Sequence, residues 1–129
     1  MFKSQFDYHH AATITNNLMR NMGGGTFRND GTRLDLRRGY AVGGWYPPLT
    51  LDPEDTFKEQ WNEVFLWALT HIDSGWRGHW GTWTDESDGT VFLDLVDVFE
   101  DRDRALIYAR QNGERAIYDF ANGIEVRVP

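Results

Sequence analysis

The chain has no cysteine. It therefore has no disulfide framework, no thiol nucleophile and no cysteine-based zinc site, which suits a reducing cytoplasm. It also lacks any apolar run near the ~20 residues that span a bilayer. Met1-Phe2-Lys3-Ser4-Gln5-Phe6-Asp7 carries no apolar signal core. These absences lead to the expectation of a soluble, cytoplasmic protein with no membrane partner. No internal repeat, low-complexity tract or linker interrupts the 129 residues, so residues 1–129 read as a single domain.

Catalytic and cofactor signatures are missing as well. Ser4, Ser74 and Ser87 lack the context of a nucleophile elbow. Gly23-Gly24-Gly25 and residues 39–44 (GYAVGG) match neither phosphate-binding fingerprint, because no GKS or GKT follows and the glycines do not open a helix. They fit strand bends and tight turns, with close approach to a ligand as the alternative. His9-His10 is the only histidine pair, and His71 and His79 stand alone, short of the three or four ligands a metal site needs. Asp85, Glu86 and Asp88 lack the twelve-residue calcium pattern and read as turn chemistry. Carboxylates are plentiful, but no single acid–base pair stands out. The expectation is a protein without catalytic residues, metal or cofactor, and not an enzyme.

What is present is a core and an uneven charge. Hydrophobic residues make up 40% and aromatic residues 15%, too many for disorder. The net charge is −7, yet residues 51–103 hold 14 acidic against 3 basic side chains, while both flanks are mildly basic. Direct duplex binding is disfavoured, since nucleic-acid binders carry a basic footprint. The acidic segment serves either solubility or imitation of DNA.

The element signals come in order. Residues 1–22 have weak periodicity, and residues 13–22 (TITNNLMRNM) fit a short helix or an extended arm. A short strand at Thr26-Phe27-Arg28 meets the turn Asn29-Asp30-Gly31. Leu34, Leu36, Tyr40 and Val42 share one parity of a strand bent near Arg38-Gly39. Pro47-Pro48 forces an extended connection. Asp52 is the expected N-cap of a long helix with Pro53 in its first turn, and its stripe is Phe57, Trp61, Val64, Phe65, Ala68 and Ile72. Ser74-Gly75 ends it. A hairpin follows, with its turn at Glu86-Ser87-Asp88-Gly89 and a second strand whose parity changes near Leu95, which predicts a bulge or bend. Asp101 caps a short helix ending at Gly113. Residues 116–120 and 124–128 form a last hairpin through Asn122-Gly123. The fold class is α+β: a mainly antiparallel sheet of about five to six strands carrying one long and one short helix.

Arginine beside aromatics is the pattern with chemistry in it. Arg102, Arg104 and Arg110 lie on or beside the short helix, Arg115 follows it, and Tyr108, Tyr118, Phe92 and Trp83 come from neighbouring elements. Arginine forks bind phosphates, and guanidinium and aromatic planes stack on bases. Trp83, Phe92, Arg110, Arg115 and Tyr118 are the candidate ligand-binding residues. The competing reading makes the aromatics core and pairs the arginines with Asp101, Asp103 and Glu114.

The run Gly23-Gly24-Gly25-Thr26-Phe27, then GYAVGG at 39–44, then Gly81-Thr82-Trp83-Thr84-Asp85 with Val91-Phe92-Leu93-Asp94, then Arg104-Ala105 and Ala116-Ile117-Tyr118-Asp119, resembles a family of small proteins encoded by bacteriophages and prophages. The resemblance covers about residues 20–128 and rests on glycine and aromatic landmarks of a fold. In size, element order and arginine and aromatic content the chain is also similar to the phage Thoeris anti-defence proteins, oligomeric sponges for immune signals of the cyclic ADP-ribose type. That resemblance implies Phe92 or Trp83 stacking on adenine and Arg110 and Arg115 holding phosphate. It implies a phage-encoded, non-enzymatic homo-oligomer that sequesters a small nucleotide in the host cytoplasm, without direct binding to nucleic acid. The alternative is an acidic DNA mimic that inhibits a host nuclease or other host defence protein. A third reading is a nucleotide hydrolase.

Overall fold

The computed structural model describes residues 5–129, so the first four residues of the N-terminal reading lie outside the described residues. Three helices and seven strands follow in the order α1 (Gln5–Met19), β1 (Gly25–Phe27), β2 (Tyr40–Val42), β3 (Leu49–Leu51), α2 (Phe57–Asp73), β4 (His79–Thr84), β5 (Val91–Phe99), α3 (Arg102–Gln111), β6 (Ala116–Asp119) and β7 (Ile124–Arg127). Every strand pairing is antiparallel, in the order β1-β4-β5-β2-β6-β7 with β3 also on β5. The α+β expectation holds, with a third helix and a seventh strand.

The N-terminal segment, open between arm and helix, is helix α1. Its buried positions Ala11, Ile14, Thr15 and Leu18 make an i, i+3, i+4, i+7 stripe. Thr15 satisfies its hydroxyl on the Ala11 carbonyl at 2.7 Å. Helix α2 starts four residues after the expected cap. Thr56 and Glu59 form a reciprocal capping box, whereas Asp52 closes a local turn by accepting from the Glu54 N–H at 2.8 Å. Its buried side chains are Val64, Ala68, Leu69 and Ile72, while Phe57 at the entrance is 67% exposed. Helix α3 matches its reading closely. Asp101 is the N-cap, and Gly113 adopts φ +75° to let the Gly113 and Glu114 N–H groups bond the Arg110 and Ala109 carbonyls.

Strand β5 is the axis of the molecule. Residues 91–96 pair with β4 in one unbroken register, so the expected bulge near Leu95 is absent. Leu93 and Leu95 face α1 and α2, and Val96 is buried on the other face, over Gly81. A strand with apolar residues on both faces looks from sequence like a parity change. Along its second edge β5 takes β3 at 91–93 and β2 at 97–99. Between them residues 43–48 oppose only three residues of β5, so β2 and β3 act as one strand with an outward excursion. The longer strand expected through Leu34 and Leu36 is not formed; Arg33 makes a single bridge to Phe27.

Two cores result. One is built from Ala11, Ile14, Leu18, Phe27, Leu51, Val64, Ala68, Trp80, Leu93 and Leu95 beneath α1 and α2. The other is smaller, with Val42, Ala105, Ala109 and Ile117 beneath α3. Trp45, in the excursion, packs against both. Phe99 keeps the parity of Leu93 and Leu95 on β5 and packs in the second core, so the helices cover one face of the sheet. Among the described residues the opposite face carries no helix.

Candidate functional site

Strand alternation decides where the five candidate residues fall. Trp83 pairs with Phe92 across β4 and β5, on the face away from the helices. Their rings stack with centroids 4.2 Å apart and planes 10° from parallel. Trp83 remains 51% exposed, so this is an aromatic platform and not core. Tyr118 pairs with Ala41, which pairs with Val98 of β5, and so shares that face. It is 40% exposed and meets Phe120 edge-on. Val98 lies six positions along β5 from Phe92, about 20 Å at the rise of a strand.

The arginines stand elsewhere. Arg110 is in the last turn of α3 and donates to the Pro129 carbonyl at 2.9 Å. With Asp103, Leu106, Ile107, Gln111 and Pro129 it lines a shallow groove of about 420 Å³. Arg115 is exposed between α3 and β6, and its carbonyl accepts from the Val128 N–H. Arg102 and Arg104 are exposed at the start of α3. The fold thus brings Trp83 and Phe92 together, sets Tyr118 on the same face at a distance, and leaves Arg110 and Arg115 at the α3–β6 end.

Carboxylates gather beside the platform instead. The turn of residues 85–90 directly joins Thr84 to Val91, next to the stacked pair. Asp85 accepts from the Ser87 N–H and hydroxyl, which holds its carboxyl below the usual range. The loop that carries Asp52, Glu54 and Asp55 lies against this turn. A Cβ on Gly89 would stand 3.5 Å from Pro53, and Thr50, Asp52, Pro53, Asp88 and Thr90 line a shared groove of about 400 Å³. Asp55 is pushed up by desolvation and by the neighbouring Glu59 and Asp52 charges. Six exposed or half-exposed carboxylates therefore occupy the platform end of the molecule. Among the described residues no three or more His, Asp or Glu side chains form a group able to hold a metal.

A second cluster escaped the sequence. Asp94, on the uncovered face of β5, accepts from the Gly44 N–H at 3.0 Å through Oδ2. Its Oδ1 is buried, and the Leu95 N–H also acts on the carboxyl. The Glu114 and Asp94 carboxyls come together at Gly43, where a Cβ would meet oxygens of both, and a hydrogen bond between them requires a shared proton. Burial raises both groups, and the Asp94 charge raises Glu114 further. Gly44 makes the contact possible: it has φ +78°, and a Cβ there would meet Glu114 Oε1 at 2.8 Å. Asn112 Nδ2 donates to the Gly43 carbonyl at 2.9 Å and fastens the same excursion to α3. The pair can hold or release a proton, but it lines neither groove. Twenty residues separate Asp94 from Glu114, and no sequence spacing announces them.

Among the described residues no helix is long and apolar enough to cross a membrane. Comparison with protein families, with curated proteins and with solved structures finds no match to this chain.

Proposed function

We propose that the protein acts by binding without turnover, through the Trp83–Phe92 platform and the carboxylate-bearing turns beside it. The observation that carries this reading is the parallel ring pair at 4.2 Å, with Trp83 exposed, bordered by acidic turns. A fixed aromatic surface offers contact area at little entropic cost, and surrounding carboxylates complement and steer a positively charged partner. The fitting partner is the basic face of a protein, such as the nucleic-acid-binding surface of a host nuclease. This is the acidic-inhibitor alternative. In a phage setting, which the sequence resemblance implies, it amounts to anti-defence activity by occlusion.

Sequestration of a small nucleotide signal is the second reading. The exposed Trp83 ring supports it, because a base stacks on such a surface. The position of Arg110 and Arg115 weighs against it, since the phosphates would need other cations.

One set of variants separates the two. Host lysate is passed over immobilised wild type, Trp83→Ala, Asp85→Lys/Asp88→Lys and Arg110→Ala/Arg115→Ala. Native mass spectrometry reads retained small molecules in parallel. Occlusion predicts a protein retained at low salt, released between about 50 and 200 mM salt, and lost in the first two variants only. A retained nucleotide mass that vanishes with the arginine variant would reverse the choice.

A further inference from the structure

Strand β7 is the outermost strand of its half of the sheet, and among the described residues no strand pairs with its outer edge. The other edges are blunted. At β1 the Leu34 N–H bonds the Thr26 carbonyl at 2.8 Å, and three-residue β3 is framed by Pro47, Pro48 and Pro53. Among the described residues no proline or added backbone bond covers residues 124–127. Their sequence, Ile124-Glu125-Val126-Arg127, alternates apolar with charged, and the two charges are opposite.

The direction of the free backbone groups follows from the ladder. The Val128 N–H bonds the Arg115 carbonyl at 2.9 Å, in register with Ile117↔Val126 and Asp119↔Ile124. In an antiparallel pair hydrogen-bonded positions alternate. Ile124, Val126 and Val128 therefore direct their N–H and C=O groups toward β6, and Glu125 and Arg127 direct theirs outward. The Glu125 and Arg127 side chains are exposed and make no hydrogen bond or ion pair among the described residues.

We infer that β7 pairs antiparallel with β7 of a second copy of this chain, about a two-fold axis at Val126. This register joins Glu125 to Arg127 of the second copy and Arg127 to Glu125 of the second copy. The outward backbone groups of these residues are the ones that must bond, so four main-chain hydrogen bonds form. The same residues give two cross-strand ion pairs. On the helix-bearing side Ile124, 54% exposed in one chain, meets Val128 of the second copy and Val126 meets its own equivalent. These side chains extend the apolar layer that already includes Val126 and Val128. A register shifted by one residue would bring inward-directed backbone groups to the interface, and one shifted by two would leave the charges unpaired. The inference is independent of what the acidic end binds.

Sedimentation equilibrium from about 1 to 100 μM tests it. The wild-type mass is expected to rise toward twice 15.0 kDa with concentration. Glu125→Arg alone and Arg127→Glu alone set like charges opposite each other and are expected to stay at the single-chain mass. An equimolar mixture of the two restores complementarity and is expected to dimerise, which also shows that both variants are folded. A wild type at single-chain mass throughout, or an E125R protein that dimerises like wild type, would overturn the pairing. Failure of the mixture alone, with the wild type dimeric, would overturn the register.

Discussion

Burial raises the Asp94 and Glu114 carboxyls above their unfolded values, so the folded chain holds their shared proton more tightly than the unfolded chain does. The stabilisation is complete below the unfolded carboxylate range, near pH 4, and is lost as pH rises through the raised folded values. Asp30, Asp85 and Asp119 act in the opposite sense. Their carboxyls are lowered, chiefly by side-chain hydrogen bonds from Thr32, Ser87 and Asn122, and their contribution is lost as pH falls. The difference between wild type and Glu114→Gln isolates the pair. The variant amide keeps a donor for Asp94 at every pH, so it is expected to melt about 3 °C above wild type at pH 7. That gain should shrink toward zero by pH 4 in thermal melts; a constant offset would remove the shared proton. Sequence could name the exposed aromatics but not this pair. Trp83 and Phe92 lie at matching distances from one hairpin turn, whereas Asp94 and Glu114 meet only through β2 and the end of α3.

At the scale of elements, legibility tracked how many local signals agreed. Helix α3 had a cap and a stop glycine that concurred, and its boundaries were readable. Helix α2 is capped by Thr56 and not by the expected Asp52, because Glu59 returns its bond. Thr56→Ala is expected to cost about 1 kcal/mol in denaturant unfolding. Asp52→Ala should cost clearly less, since its side chain closes a turn outside the helix. Equal losses would contradict this assignment. Helix α1 was hard to read because two of its four buried positions are Ala11 and Thr15, which carry little hydrophobic signal. Strand β3 hid behind Pro47-Pro48, and the last hairpin turned differently from the Asn-Gly signal. Asp119 and Ile124 are its final pair, and the Asp119 carboxylate accepts from the Ala121 and Asn122 N–H groups, making a four-residue turn.

Across the whole molecule, the two cores are joined by β5 and by one side chain, Trp45. Its ring packs on Phe99 and Tyr108 in the α3 core at 6.4 and 5.7 Å between centroids, and its Nε1 donates to the Val42 carbonyl at 2.8 Å. The same residue touches the larger core. The α3 core has four buried side chains, two of them alanine, too little apolar area to stand alone. It borrows cooperativity through Trp45, and the Gly44–Asp94 and Asn112–Gly43 bonds hold that indole in place. Wild type is therefore expected to unfold in one transition. Trp45→Ala removes a large, partly buried ring at the junction and should lose about 2 kcal/mol or more. Its loss should also be uneven. Hydrogen exchange at Ala109, Ile117 and Val126 should accelerate more than at Leu93 and Leu95, because only the smaller core loses its link to the larger one. Uniform acceleration at both sets would mean that β5 alone couples the halves, and Trp45 would then be ordinary core.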